Sequence, residues 1–115
     1  MKTLLAEAPP FPYAGPQDLR VPITAALSRV IDPEVAMTIV DVGLVYGVEV
    51  GERAVRVRLT MTSAACPVAD VIVDDVWHEL SRVVPASFDI DVDLVWEPPW
   101  TAERMTDRAR RIMGW

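Results

Sequence analysis

Two stretches of this chain alternate apolar and polar residues with period two, and three others repeat their apolar residues at helical spacing. Val55, Val57 and Leu59 alternate with Arg56, Arg58 and Thr60. Phe88, Ile90, Val92 and Leu94 alternate with Asp89, Asp91 and Asp93. Each pattern predicts a strand with one covered face, over residues 54–61 and 88–96. Val45–Val50, followed by Gly51-Glu52-Arg53, reads as the partner strand and turn of the first. Ala69, Ile72, Val73, Val76, Leu80 and Val83 fall on one helical stripe, with Asp70, Asp74, Asp75 and Arg82 off it. That predicts a helix over 67–83, stopped by Pro85.

A shorter helix is expected over 22–30. Ile23, Leu27 and Val30 share a face, Pro22 suits the first turn, and Asp32 before Pro33 ends it. Met105, Ala109, Ile112 and Met113 predict a last helix, with Thr101 as its N-cap after the rigid turn Glu97-Pro98-Pro99-Trp100. Pro9, Pro10, Pro12 and Pro16 resist helix and sheet alike, so residues 1–21 read as an extended leader, anchored through Phe11 and Tyr13. Residues 22–115 form the domain. The order is α-β-β-α-β-α, and the helix between the last two strands permits a parallel crossover. The fold class is a small two-layer α/β (α+β) domain, with a three-stranded mixed sheet covered by helices.

Composition narrows the function. The chain has 115 residues, enough for a single core, and a net charge of −6. That sign argues against nucleic acid and against a polybasic membrane surface as partner. No run reaches the roughly 20 apolar residues of a membrane helix, and the N-terminus lacks the roughly 7–15 of a signal peptide. The cytoplasm is the expected compartment. One cysteine, Cys66, excludes an intrachain disulfide or a four-thiolate site built by one chain.

Cys66 lies in Thr62-Ser63-Ala64-Ala65-Cys66-Pro67, between a strand and the long helix. With Pro67 as first helical residue, Cys66 falls at the N-cap, where free N–H groups and the helix dipole favour a thiolate. Thr62 and Ser63 can donate hydroxyl hydrogen bonds to the sulfur or a ligand. A buried, inert thiol satisfies the same local sequence. Asp32 and Glu34 flank Pro33 in a loop, where carboxylates either face a ligand or are solvated turn residues. His78, the only histidine, reads as a surface or structural residue rather than a metal ligand. It stands about 18 Å of helix rise from Cys66, which argues against a cysteine–histidine enzyme. Trp77 reads as packing, Trp96 and Trp100 as covering an open core edge, and the arginines at 104, 108, 110 and 111 as one basic helix.

Asp32-Pro33-Glu34, Ile39-Val40-Asp41-Val42-Gly43-Leu44-Val45, the cysteine turn and Pro98-Pro99-Trp100 occur in an order that resembles the metal–sulfur cluster assembly family. This is the SufT/PaaD-type domain, related to the cytosolic iron–sulfur targeting factor, and the resemblance covers about residues 22–114. It implies a small α/β fold and an accessory, non-enzymatic role in iron–sulfur cluster assembly or transfer to client proteins. By the same resemblance the metal or cluster contact is Cys66, supported by Asp32, Glu34, Thr62 and Ser63. The implied cargo is transient iron or an iron–sulfur cluster, and the implied partners are the assembly machinery and client apoproteins. One thiolate per chain suits a carrier that must release its cargo, and a homodimer sharing a cluster would supply two. The chain departs from the family pattern at Ala64, where proline is frequent, and at Val35-Ala36, where leucine-glycine is common. The alternative is a non-catalytic scaffold or adaptor in a maturation complex, with a structural cysteine.

Overall fold

The computed structural model describes residues 11–62 and 68–114. Its elements are β1 (Tyr13–Ala14), α1 (Gln17–Leu27), β2 (Ile31–Asp32), β3 (Met37–Thr38), α2 (Ile39–Val42), β4 (Val45–Val50), β5 (Ala54–Leu59), α3 (Ala69–Ser81), β6 (Asp89–Leu94) and α4 (Asp107–Met113). A 3₁₀ turn at Ala102–Arg104 precedes α4. β1, β4, β5 and β6 form one sheet in that order, and β2 pairs with β3 as a separate hairpin. The central pair β4·β5 is antiparallel, while β1·β4 and β5·β6 are parallel. The α/β class and the parallel β5-α3-β6 crossover match the sequence reading; the sheet has four strands rather than three.

The fourth strand comes from the proline-rich segment. Proline lacks a donor but keeps its carbonyl, and Pro12 uses that carbonyl to accept from the Val48 N–H at 2.9 Å. Phe11 is buried, Tyr13 packs on the core, and the Tyr13 hydroxyl donates to the Pro16 carbonyl at 2.7 Å. Burial beside Asp18 pushes the Tyr13 phenol above its ordinary range. Helix α1 then starts at Gln17, five residues before the expected start, and Pro22 lies inside it. The bond that an N–H at 22 would make to the Asp18 carbonyl is lost. Burial of Ile23, Ala26 and Leu27 outweighs it.

The core lies between the helices and one face of the sheet. Ile23 and Leu27 of α1, Ile72, Val76 and Leu80 of α3, and Val48, Val55, Val57 and Leu59 of the sheet are fully buried. The stripe expected on α3 therefore faces inward, although the helix begins at Ala69 with Val68 at its N-cap. Arg29, just beyond α1, ties to Glu79 of α3 at 2.8 Å and holds that carboxyl below its ordinary range. The opposite sheet face carries Glu49, Arg56, Asp89, Asp91 and Asp93, all exposed.

Three local expectations are corrected, and a β-branched run to which the sequence assigned no element acquires one. The β-branched run 39–42 forms a single helical turn, because Thr38 caps it by accepting from the Asp41 N–H at 3.0 Å and Gly43 ends it in the left-handed region at φ 84°. The N-cap of α4 is Thr106, whose hydroxyl accepts from the Ala109 N–H at 3.2 Å; Thr101 precedes only the 3₁₀ turn. Arg104 belongs to that turn, so only Arg108, Arg110 and Arg111 lie on α4. Trp77 is exposed and meets the His78 ring edge-on, while Trp96 is also exposed. Trp100 does cover the core edge, with its indole N–H donating to the Val42 carbonyl at 2.9 Å. His78 is a surface residue beside Asp74. Among the described residues no helix is long and apolar enough to cross a membrane.

Candidate functional site

Asp32 ends β2 and opens a four-residue loop to β3, set by the pairs Ile31↔Thr38 and Asp32↔Met37. Its Oδ1 accepts from the Glu34 N–H at 3.0 Å, and its carbonyl accepts from the Ala36 N–H at 2.8 Å. Pro33 supplies a preset φ in this bend. Asp32 thereby turns inward and is 1% exposed, unlike a solvated turn carboxylate, whereas Glu34 is exposed at the tip. Ala36 closes the loop at φ 58°, a left-handed conformation that favours glycine. Ala36→Gly is therefore expected to raise stability by about 0.5–1 kcal/mol, read from the midpoint of urea unfolding. A lower midpoint would show that the loop relaxes without strain.

A relay of backbone hydrogen bonds runs from this hairpin to the end of β5. The Ile39 N–H donates to Val30 at 2.9 Å, the Leu44 N–H to Ile39 at 2.9 Å, and the Thr60 N–H to Leu44 at 2.8 Å. Thr60 follows the polar phase of the strand, which predicts an outward side chain. Instead it is 1% exposed, because the alternation stops where β5 ends and Met61 is buried as well. Thr60 Oγ1 has no hydrogen-bond partner among the described residues. Asp32 and Thr60 are the two buried polar side chains among those residues; Thr60 ends the relay, and Asp32 stands two residues along the chain from Val30, where the relay begins. Thr62 follows, half-buried. Ser63 and Cys66 lie outside the described residues, as does the N-cap position expected for the thiol. The described part of the helix has Val68 at its N-cap, two residues beyond Cys66.

The relay is braced from the C-terminal side. The Thr106 hydroxyl donates to Asp41 Oδ1 at 3.0 Å, and the Thr106 N–H donates to the Asp41 carbonyl at 2.9 Å. Arg108 stands 4.0 Å from Asp41 Oδ2. The Arg104 guanidinium lies 4.3 Å above the Tyr46 ring, and the Tyr46 hydroxyl donates to the Pro98 carbonyl at 2.6 Å. Sequence reasoning missed Thr60 and Asp41. Thr60 was hidden by its strand phase, and Asp41 by the apolar run around it. Among the described residues no three His, Cys, Asp or Glu side chains cluster so as to hold a metal ion.

Residues 20–94 match the family described as iron–sulfur cluster assembly protein. The chain belongs to that family. The SufT/YitW type of Fe–S protein maturation auxiliary factor is its place within the family. A relative in Bacillus subtilis, the Fe–S protein maturation auxiliary factor YitW, is 40% identical over 97 residues, 84% of this chain and 94% of its own. The factor SufT of Staphylococcus aureus is 42% identical over 86 residues, covering 74% of this chain and 97% of its own. Among solved structures, a domain of unknown function (DUF59) from Bacillus anthracis is 42% identical with a TM-score of 0.79. It covers 85% of this chain and 93% of that one. This family member places an alanine, Ala36, at a left-handed position, where the resemblance leads one to expect glycine.

Proposed function

We propose that this chain is an Fe–S protein maturation auxiliary factor that contacts its cargo, iron or an iron–sulfur cluster, through Cys66. Asp32, Glu34, Thr62 and Ser63 support that contact, and client apoproteins receive the cargo. The observation that carries the reading is Thr60, a buried hydroxyl at the β5 end of the relay, together with Asp32, a buried carboxylate in the hairpin at its other end. Burial of a polar group is unfavourable unless it is hydrogen-bonded, so a buried hydroxyl without a partner among the described residues, in the segment that leads to Cys66, supports a place kept polar for a purpose other than stability. The chain runs from that place directly into Thr62 and, four residues later, Cys66.

The chemistry follows from the donor set. Thiolate sulfur is the usual protein ligand of iron–sulfur clusters. One thiolate per chain holds iron with few bonds and can release it by exchange, whereas a full four-thiolate shell would retain it. Asp32 and Glu34 are hard oxygen donors, suited to transient iron rather than to a closed cluster shell. Two chains sharing a cluster would supply two thiolates, which is the form of homodimer this reading admits.

The test is complementation. In cells whose own factor of this family is deleted, the wild-type chain should restore the activity of a cluster-dependent enzyme. Cys66→Ser should restore about a tenth of it or less, while the purified variant keeps the wild-type circular dichroism spectrum. Full restoration by Cys66→Ser would remove the thiol from the mechanism and leave the scaffold or adaptor reading.

A further inference from the structure

We infer that the free edge of β6 is a docking strand for an extended segment of a partner protein in which basic and apolar residues alternate. The inference is independent of Cys66. β6 is the last strand of the sheet. The Asp89 N–H donates to the Arg53 carbonyl at 2.8 Å and the Val95 N–H to Leu59 at 2.7 Å. Alternate residues of a parallel pair turn their backbone groups to the same neighbour, so 89, 91, 93 and 95 face β5. The N–H and C=O groups of Ile90, Val92 and Leu94 then point off the edge. Among the described residues no strand takes them.

The side chains along that edge divide by face. Ile90, Val92 and Leu94 are half-buried on the helix side and pack against the core. Asp89, Asp91 and Asp93 are exposed on the opposite side. Arg56 pairs with Asp91 at 3.2 Å, while Asp89 and Asp93 have no ion pair among the described residues. The Arg58 guanidinium, level with Asp93 in the register, instead lies over Gly47 of β4. An incoming strand thus meets unpaired backbone groups, an apolar row on one face and carboxylates on the other.

Charge decides between occupants. A second copy pairing through its own β6 would set two aspartate rows side by side on one face, and like charges directly across a strand pair repel. A strand alternating arginine or lysine with valine or leucine meets both rows favourably, which is the pattern that β5 already presents to β6 from the other side. Strand addition supplies backbone hydrogen bonds for affinity and alternate side chains for specificity.

The probe is a fluorescein-labelled hexapeptide alternating valine and arginine, titrated by fluorescence polarisation. Saturable binding at or below about 1 mM is expected, with slowed amide exchange at Ile90, Val92 and Leu94. Val92→Pro removes an outward N–H and leaves the β5 ladder whole, so it should weaken binding about tenfold. The double variant Asp89→Lys, Asp93→Lys should do the same, and so should N-methylation of the peptide backbone, which leaves the protein untouched. Equal affinity for a peptide with its arginines in one block, or binding unchanged by N-methylation, would reduce the effect to ionic attraction and overturn the inference. Absence of saturable binding, or a dimer held through β6 in sizing experiments, would overturn it too.

Discussion

Replacing Gly43 by alanine is expected to lower the stability of the fold by about 3 kcal/mol, through two separable causes. Gly43 ends α2 at φ 84°, and its N–H donates to the Ile39 and Val40 carbonyls, so its backbone cannot leave the left-handed region without opening the turn. A side chain there costs about 1 kcal/mol. The second cause is steric. A Cβ on Gly43 would run into the backbone carbonyl group of Arg104. That carbonyl cannot yield cheaply, because the Arg104 N–H bonds to Thr101, Arg104 covers Tyr46, and the next residue, Met105, is buried. Overpacking of this kind adds about 1–3 kcal/mol. Gly114 supplies the control. It has a similar φ of 78°, yet among the described residues a Cβ there meets nothing within 4 Å. Gly114→Ala should therefore show the conformational cost alone, about 1 kcal/mol or less. Urea unfolding of both variants separates the causes; equal losses would show that the Arg104 contact carries no energy.

Thr60→Val should move stability the other way, raising it by about 1–2 kcal/mol. Among the described residues the buried Thr60 hydroxyl has no partner, so it gives up its hydration without a compensating bond from them. Valine has nearly the same shape, keeps the Thr60 N–H bond to Leu44, and suits extended backbone at the end of a strand. If the hydroxyl serves the site, complementation by the same variant should drop while its unfolding midpoint rises, a trade of function against stability. A variant that is less stable than wild type would mean that the hydroxyl has a bonding partner, and would remove the main support for a polar site at the end of β5. A variant more stable and fully functional would confine Thr60 to a packing role.

Much of the architecture was legible because it follows from local periodicity. The stripe on α3 and the alternation in β5 and β6 each repeat over enough residues that only one secondary structure buries them together. The crossover helix between β5 and β6 followed from order alone. Elements that local pattern did not supply are those where a few residues obey a distant partner. Tyr13–Ala14 is a strand because β4 offers an open edge and Pro12 keeps its carbonyl, not because its own sequence favours extension in a sheet. The β-branched run 39–42 turns helical because Thr38 caps it, and Asp41 and Thr106 then hold it from the other end of the chain.

The candidate residues divide the same way. The sequence offered Thr62, Ser63 and Cys66 as one turn and Asp32 and Glu34 as a second loop, and the family resemblance grouped the five, since residue type and order are local properties. Only the fold decided that Asp32 turns inward while Glu34 does not, and that Thr60, written in the solvent phase of its strand, is enclosed. Burial is a relation between segments far apart in the chain. No pattern within six or eight residues can specify which polar side chain the remaining segments will close over.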